Sequence, residues 1–311
     1  MDILLVTSIL SVTIRAGTSL LYAILGEILT ERSGILNLGV EGVMIIGALA
    51  GYAVSYSTGS LWLGVLSAML AGAAMAFIHG FLSITAKANQ VVSGVALTIF
   101  GSGLSNLLGK QFVSVVSPRF TRFEIPYLSK IPILGQAIFN QDVLIYISLL
   151  LSFVLWIFLY KTRPGLNLRA VGEDPRSADA MGINVNRTRY LFTLIGGMLM
   201  GLGGAHLSLA FAPGWQENLT AGRGWIAVAL VIFASWDPLR AIIASIVFGG
   251  IEGIQFMLQA QAINISPYFL RMLPYASTIL ILWVVSWREG LAKQLGGPSS
   301  LSLPFDREDR T

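Results

Sequence analysis

Nine runs of mainly apolar residues, at roughly 3–25, 35–55, 61–85, 91–109, 143–160, 190–212, 224–236, 239–260 and 268–287, leave this chain few ways to fold. A helix needs about 20 such residues to cross the hydrocarbon of a bilayer, where every backbone polar group must be satisfied internally. With 55% hydrophobic and only 12% charged residues and a mean hydropathy of +0.74, against about 25% charge in soluble domains, 311 residues carry more apolar surface than one water-soluble core could hide. The expected fold is an all-α polytopic membrane protein of about nine spans, within a range of eight to ten, a single transmembrane domain over 1–290 followed by a tail at 291–311. The first run lacks the basic region and cleavage site of a secretory signal and reads as a retained span. The absence of cysteine excludes disulfides, thiolate metal sites and cysteine nucleophiles.

Small residues spaced four apart, Gly47/Gly51, Gly197/Gly201 and Gly249/Gly253, mark faces where helix backbones approach closely. Two spans read as broken: 35–55 carries Asn37 and Glu41, and 224–260 is interrupted by Asp237-Pro238. Irregular backbone at membrane depth implies a cavity. Counting Lys and Arg in the connections places thirteen of the twenty on the side that holds the 161–190 loop, which makes that loop and the C-terminus cytoplasmic. Nine spans then put the N-terminus outside, and one further re-entrant or amphipathic element would put it inside. The connection 110–142, with Pro118, Pro126 and Pro132 around Arg119, Arg122 and Lys130, reads as a structured extracytoplasmic cap.

Charge is concentrated between Arg169 and Arg189, with Glu173, Asp174, Arg176, Asp179 and Arg187 between them. Asp174-Pro175 is a helix start, because Asp accepts from a free backbone N–H and Pro is pre-set for the first helical position. Gly182 is a helix stop. Pro175, Ala178 and Met181 recur every third residue on a cytoplasmic helix of about two turns, roughly 10 Å. A helix that short is marginal alone and needs a docking surface. Its mixed charge makes an anionic lipid surface a poor sole partner.

At these residues, "AVGEDPRSADAMGI", the chain resembles the coupling-helix loop of ABC importer permeases, specifically the simple-sugar and nucleoside branch. The resemblance continues in "ERSGILNLGVEGVMIIGA", "NQVVSGVALTIFGSGLSNLLG", "ENLTAGRGWIAVALVIFASWDPLRA" and "LRMLPY", five ordered blocks from about residue 26 to 285. It implies a permease subunit of the cell inner (plasma) membrane, paired with a second permease, identical or homologous. Cytoplasmic ATPase subunits would lie below, carrying the ATP and magnesium, and an extracytoplasmic substrate-binding protein above. No cofactor on this chain and no nucleic acid is implied. The chain has no G-x-x-x-x-G-K-[ST] loop; "GLSNLLGKQ" at 103–111 has the wrong spacing and Gln111 where a magnesium-binding hydroxyl belongs. The ATP stroke must therefore arrive by contact, through Glu173, Asp174, Pro175, Arg176, Ala178, Asp179, Met181 and Gly182.

The alternative is an ion-coupled secondary transporter using Glu41, Glu252, His79 and His206 as carriers, because ionisable residues within spans are costly and often functional. They form no obvious relay, and an intramembrane enzyme finds no patterned nucleophile and base. The resemblance is nearer to nucleoside permeases than to ribose-type ones, with a sugar still open. A neutral nucleoside wants amides and aromatic faces, which nominates Asn37, Asn89, Gln90, Phe100 and Asn106 for the pathway. Glu41 is either a pathway acceptor or a structural group holding a broken helix. Arg119, Arg122 and Lys130 are the candidates for docking the binding protein.

Overall fold

The computed structural model describes residues 3–131, 134–260, 266–287 and 297–307. Pro132, Arg288, Lys293 and Arg310 lie outside them. The helices run α1 Ile3–Arg32, α2 Val40–Thr58, α3 Leu61–Gly80, α4 Gln90–Gly109, α5 Leu134–Ile138, α6 Val143–Lys161, α7 Arg163–Glu173, α8 Pro175–Ala180, α9 Val185–His206, α10 Arg223–Phe233, α11 Pro238–Ala260 and α12 Pro267–Trp287. Wider π-type turns prolong α3 through Phe81–Thr85 and α9 through Leu207–Phe211. The one sheet among the described residues pairs β1 Phe123–Glu124 with β2 Asn140–Gln141, antiparallel.

Seven helical stretches among the described residues are long and apolar enough to cross a membrane. The expected nine is not reached among these residues, and one run is corrected: 224–236 yields only the 11-residue α10, about 16 Å long, half a bilayer's hydrocarbon. The 268–287 run is helical as α12 but is not among the seven. Asp237-Pro238 does interrupt the chain, and the turn at 234–237 separates α10 from α11.

The bundle is layered. The spans built on α1, α2 and α9 are 72%, 67% and 78% buried, whereas those of α3, α4 and α6 are 33%, 28% and 33% buried. The outer three leave large apolar side chains such as Leu66, Ile99 and Leu150 exposed, as helices facing lipid or another subunit must. The glycine spacing lies on the inner contacts. A Cβ on Gly47 would stand 2.5 Å from the Gly201 Cα, and one on Gly249 would stand 2.6 Å from the Gly17 nitrogen, so α2 meets α9, and α11 meets α1, backbone to backbone.

The second break falls before α2 rather than within it. Residues 33–39 are non-helical yet mostly buried, so their polar backbone has to be satisfied from outside. The Gln90 carboxamide oxygen accepts from Leu36 N at 2.7 Å, Glu27 Oε1 accepts from Asn37 N at 2.9 Å, Thr98 Oγ1 donates to Leu38 O at 3.2 Å, and Arg189 Nε donates to Ser33 O at 3.2 Å. Side chains of α1, α4 and α9 thus replace the missing helical ladder.

Candidate functional site

The half-helix α10 organises the site. Arg223, at its first turn, donates through Nη1 to Ala16 O at 3.2 Å and to Ser19 Oγ at 3.0 Å, halfway along α1. Trp236, just past its end, accepts at its carbonyl from Arg32, the last residue of α1, at 3.3 Å. The helix therefore starts in the middle of the bundle and ends at the level of α7 and α8. Its N-terminal N–H groups would be orphaned there. Glu41 takes them: Oε1 accepts from Gly222 N at 2.7 Å and from the Thr220 hydroxyl at 2.5 Å, and Oε2 accepts from Gly224 N at 2.6 Å. A carboxylate at a buried helix N-terminus is stabilised by both the donors and the helix dipole. Gly222 adopts φ +82°, and a Cβ there would collide with the Tyr275 hydroxyl, which itself donates to Ala221 O at 2.5 Å.

Beside this N-terminus lies a cavity of about 620 Å³, lined by residues of α1, the 211–221 segment, α10, α11 and α12. The Arg223 guanidinium pairs with Glu252 of α11 and lies 5.0 Å from the centre of the Phe211 ring. Gln216, Asn218, Gln255 and Tyr275 contribute amide and hydroxyl groups to the wall, together with the carboxylate of Glu217. The size falls in the range of small-molecule sites, and the mixture of ring faces and orienting polar groups is what such sites offer. The Arg223–Glu252 pair cancels its own charge.

None of the six residues expected in the pathway lines this cavity. Asn37 is fully buried and its Oδ1 accepts from Gly39 N at 2.9 Å, so it shapes the 33–39 loop, as Gln90 does. Glu41 lies just beneath the cavity, with both oxygens occupied by the start of α10 and the turn before it. Asn89 is the exposed N-cap of α4, accepting from Val92 N at 3.1 Å. Phe100 is exposed and Asn106 half-buried, farther along the same helix. The expectation placed polar residues by their chemistry alone, and most are consumed in satisfying irregular backbone. The sequence did carry a signal for this cavity: an Arg in "TAGRGW", opening an apolar run too short to span and closed by Asp-Pro.

The four candidate ion carriers are each held separately. His79 sits 3.1 Å from both Ser93 Oγ and Leu36 O; His206 Nε2 is 3.7 Å from Asp142; Glu41 caps α10; and Glu252 pairs with Arg223.

At the far end of the α9–α10 side, α7 and α8 form the charged segment. Asp174 caps α8 by accepting from Arg176 N at 3.0 Å and Ser177 N at 3.2 Å. The Ser177 hydroxyl and these N–H groups hold its carboxyl below the usual range, so the cap remains charged at neutral pH. Gly182 closes the turn at φ +84°. The expected apolar stripe is divided, however. Ala178 is only 4% exposed and packs with Val171 and Val185 of this same chain, whereas Met181 is 83% exposed. A docking partner can reach Met181, Arg176 and Gly182 but not Ala178. At the opposite end of α6, the 110–142 connection is anchored by Phe120 N donating to Leu209 O at 2.9 Å. It presents Arg119 and Arg122 exposed; the side chain of Lys130 lies outside those described.

This arrangement, a helical membrane bundle with a buried half-helix and a short capped helix at one end, meets its relatives in sequence. Residues 8–282 match the family described as branched-chain amino acid transport system, permease component. The chain belongs to this permease family. It is similar to a provisionally named glucose ABC transporter permease, TsgC13, of Haloferax volcanii, 41% identical over 96% of this chain and 98% of the relative. The guanosine ABC transporter permease NupQ of Bacillus subtilis is 34% identical over the full length of both. The nucleoside ABC transporter permease NupC of Lactococcus lactis is 33% identical over 85% of this permease and 88% of its own length. Membership makes the chain a multi-pass permease subunit of an ABC transporter and replaces the secondary-transporter alternative.

Proposed function

We propose that this permease forms the transmembrane half of an ATP-driven importer for nucleosides, paired with a second permease subunit. On this reading a binding protein docks on the 110–142 cap through Arg119, Arg122 and Lys130, and ATPase subunits, which bind the ATP and magnesium, dock on the exposed face of α8. The solute passes the α10 half-helix, whose cavity is the observation that carries the reading. A base can lie against the Phe211 and Tyr275 rings, worth about 1–3 kcal/mol for one stacked base. Ribose hydroxyls can exchange hydrogen bonds with Gln255, Asn218 and Glu252. Glu41 holds α10 in place beneath the solute, and Asn37 and Gln90 hold the loop that precedes α2.

Two of the similar permeases named above carry nucleosides in their descriptions, which supports this solute class. A hexose is the second reading, favoured by the glucose description of the 41% identical relative. Both are neutral and hydroxyl-rich; they differ in the base. Uptake of labelled guanosine by cells expressing the whole transporter, competed with unlabelled adenosine, ribose or glucose, separates them. Competition by adenosine and not by glucose supports the nucleoside reading, and competition by glucose alone overturns it. Phe211→Ala should weaken nucleoside uptake by one to two orders of magnitude if the ring stacks on the base.

A further inference from the structure

Residues 297–307, which the sequence marks only as part of a tail, lie across the α8 end of the bundle and bind several separate elements. Ser300 donates to Gly172 O, at the end of α7, through N at 3.0 Å and Oγ at 2.7 Å. Ser302 N donates to Gly34 O, in the 33–39 loop, at 3.2 Å, with Ser302 itself held at φ +67°. Phe305 packs on the small apolar cluster of Val171, Ala178 and Val185. At the rim, Asp306 pairs with Lys87 at 2.5 Å, just past the end of the α3 span, and Arg307 pairs with Asp179 of α8 at 2.9 Å.

Arg189 of α9 joins this segment to the loop. It is 1% exposed, and its two hydrogen bonds go to carbonyls of different segments: Nε to Ser33 O and Nη1 to Leu303 O, each at 3.2 Å. Its Nη2 has no hydrogen-bond partner among the described residues and lies beside Gly34. Among the described residues its partners are carbonyls alone, and a buried guanidinium held without a carboxylate is costly. Held by the carbonyls of two chain segments, it keeps both bonds only while the two stay in register. The rim pairs are too exposed to hold the segment by themselves, so the positioning groups are Arg189 and the backbone bonds of Ser300 and Ser302.

We propose that residues 297–307 are a tie that makes α8 and the 33–39 loop move as one body, delivering a displacement of α8 to the start of α2 and hence to Glu41 and the half-helix α10. Such a tie presupposes that α8 meets the ATPase, as proposed above. The ends of the tie are α8, through Phe305 on Ala178 and Arg307 on Asp179, and the loop, through Ser302 on Gly34 and Arg189 on Ser33. It is a positioning element for transport and touches no solute.

The chain has no cysteine, so it adds no background to introduced thiols once the partner subunits are made cysteine-free. In the assembled transporter, spin labels on Met181→Cys and Leu303→Cys, both exposed, should give one distance distribution in the nucleotide-free and ATP-bound states. A control pair, Met181→Cys with Val116→Cys, an exposed residue of the 110–142 cap, should shift. A Met181–Leu303 distance that changes as much as the control overturns the tie alone; a stationary control overturns the docking of α8 and the tie with it. Deletion of residues 297–311, if the complex assembles, should lower solute imported per ATP hydrolysed by about tenfold, and an unchanged ratio would overturn the tie. If the deletion does not assemble, the labelled full-length pairs decide.

Discussion

Glu41 has its three acceptor bonds committed to α10 and the turn that leads into it, so its removal is felt as a loss of position before any loss of charge. In Glu41→Gln the amide nitrogen faces either Gly224 N or Gly222 N, leaving a buried donor unpaired at a cost of about 1–3 kcal/mol. Thermal unfolding of the purified complex should show a lowered Tm and uptake should fall with it; an unchanged Tm would show that the cap is dispensable. Arg223 and Glu252 behave differently because they are a pair. Arg223→Ala strands Glu252 in the interior, a loss of about 3–5 kcal/mol, whereas an apolar pair of similar volume is often tolerated. Arg223→Met with Glu252→Leu should therefore restore assembled protein but not uptake, read as complex per cell against initial rate. Restored uptake would remove the pair from the pathway. Both residues stood in plain view in the sequence; what it could not show was that Glu41, 182 residues before Arg223, reaches the same half-helix.

Elements with local signals were legible. The helix α8 begins and ends where Asp174-Pro175 and Gly182 place it, because a cap, a fixed φ and a left-handed glycine act within a few residues. Its orientation was not legible, since a three-residue spacing does not say which neighbour covers it. Ala178 faces the chain's own Val171 and Val185, and Met181 faces outward. Two substitutions that look alike in sequence should thus part. Ala178→Asp buries an unpaired carboxylate and should reduce the amount of folded permease, while Met181→Asp should leave the amount unchanged and weaken ATPase binding. Pull-down of the ATPase normalised to membrane-embedded permease distinguishes them, and equal binding by wild type and Met181→Asp would move the contact elsewhere. The 33–39 loop was anticipated only as a break. Its support from Glu27, Gln90, Thr98 and Arg189 depends on tertiary neighbours that no window of sequence contains.

For the molecule as a whole, the sequence carried the membrane class and the close glycine contacts, both set by composition and spacing. One apolar run read as a span, 224–236, is half a span: hydropathy measures how greasy a segment is, not how far it travels. That half-span is also where the cavity lies, as expected when irregular backbone at depth is tolerated only around protein or a solute path. On the proposed function this chain holds the path and is moved by ATPase subunits acting at α8. The most direct test is uptake of labelled guanosine into liposomes containing the purified transporter, with binding protein outside and ATP or a proton or sodium gradient supplied separately. Uptake with ATP, lost when the ATPase subunits are inactivated and absent with either gradient alone, is the predicted result; uptake driven by a gradient without ATP would contradict it.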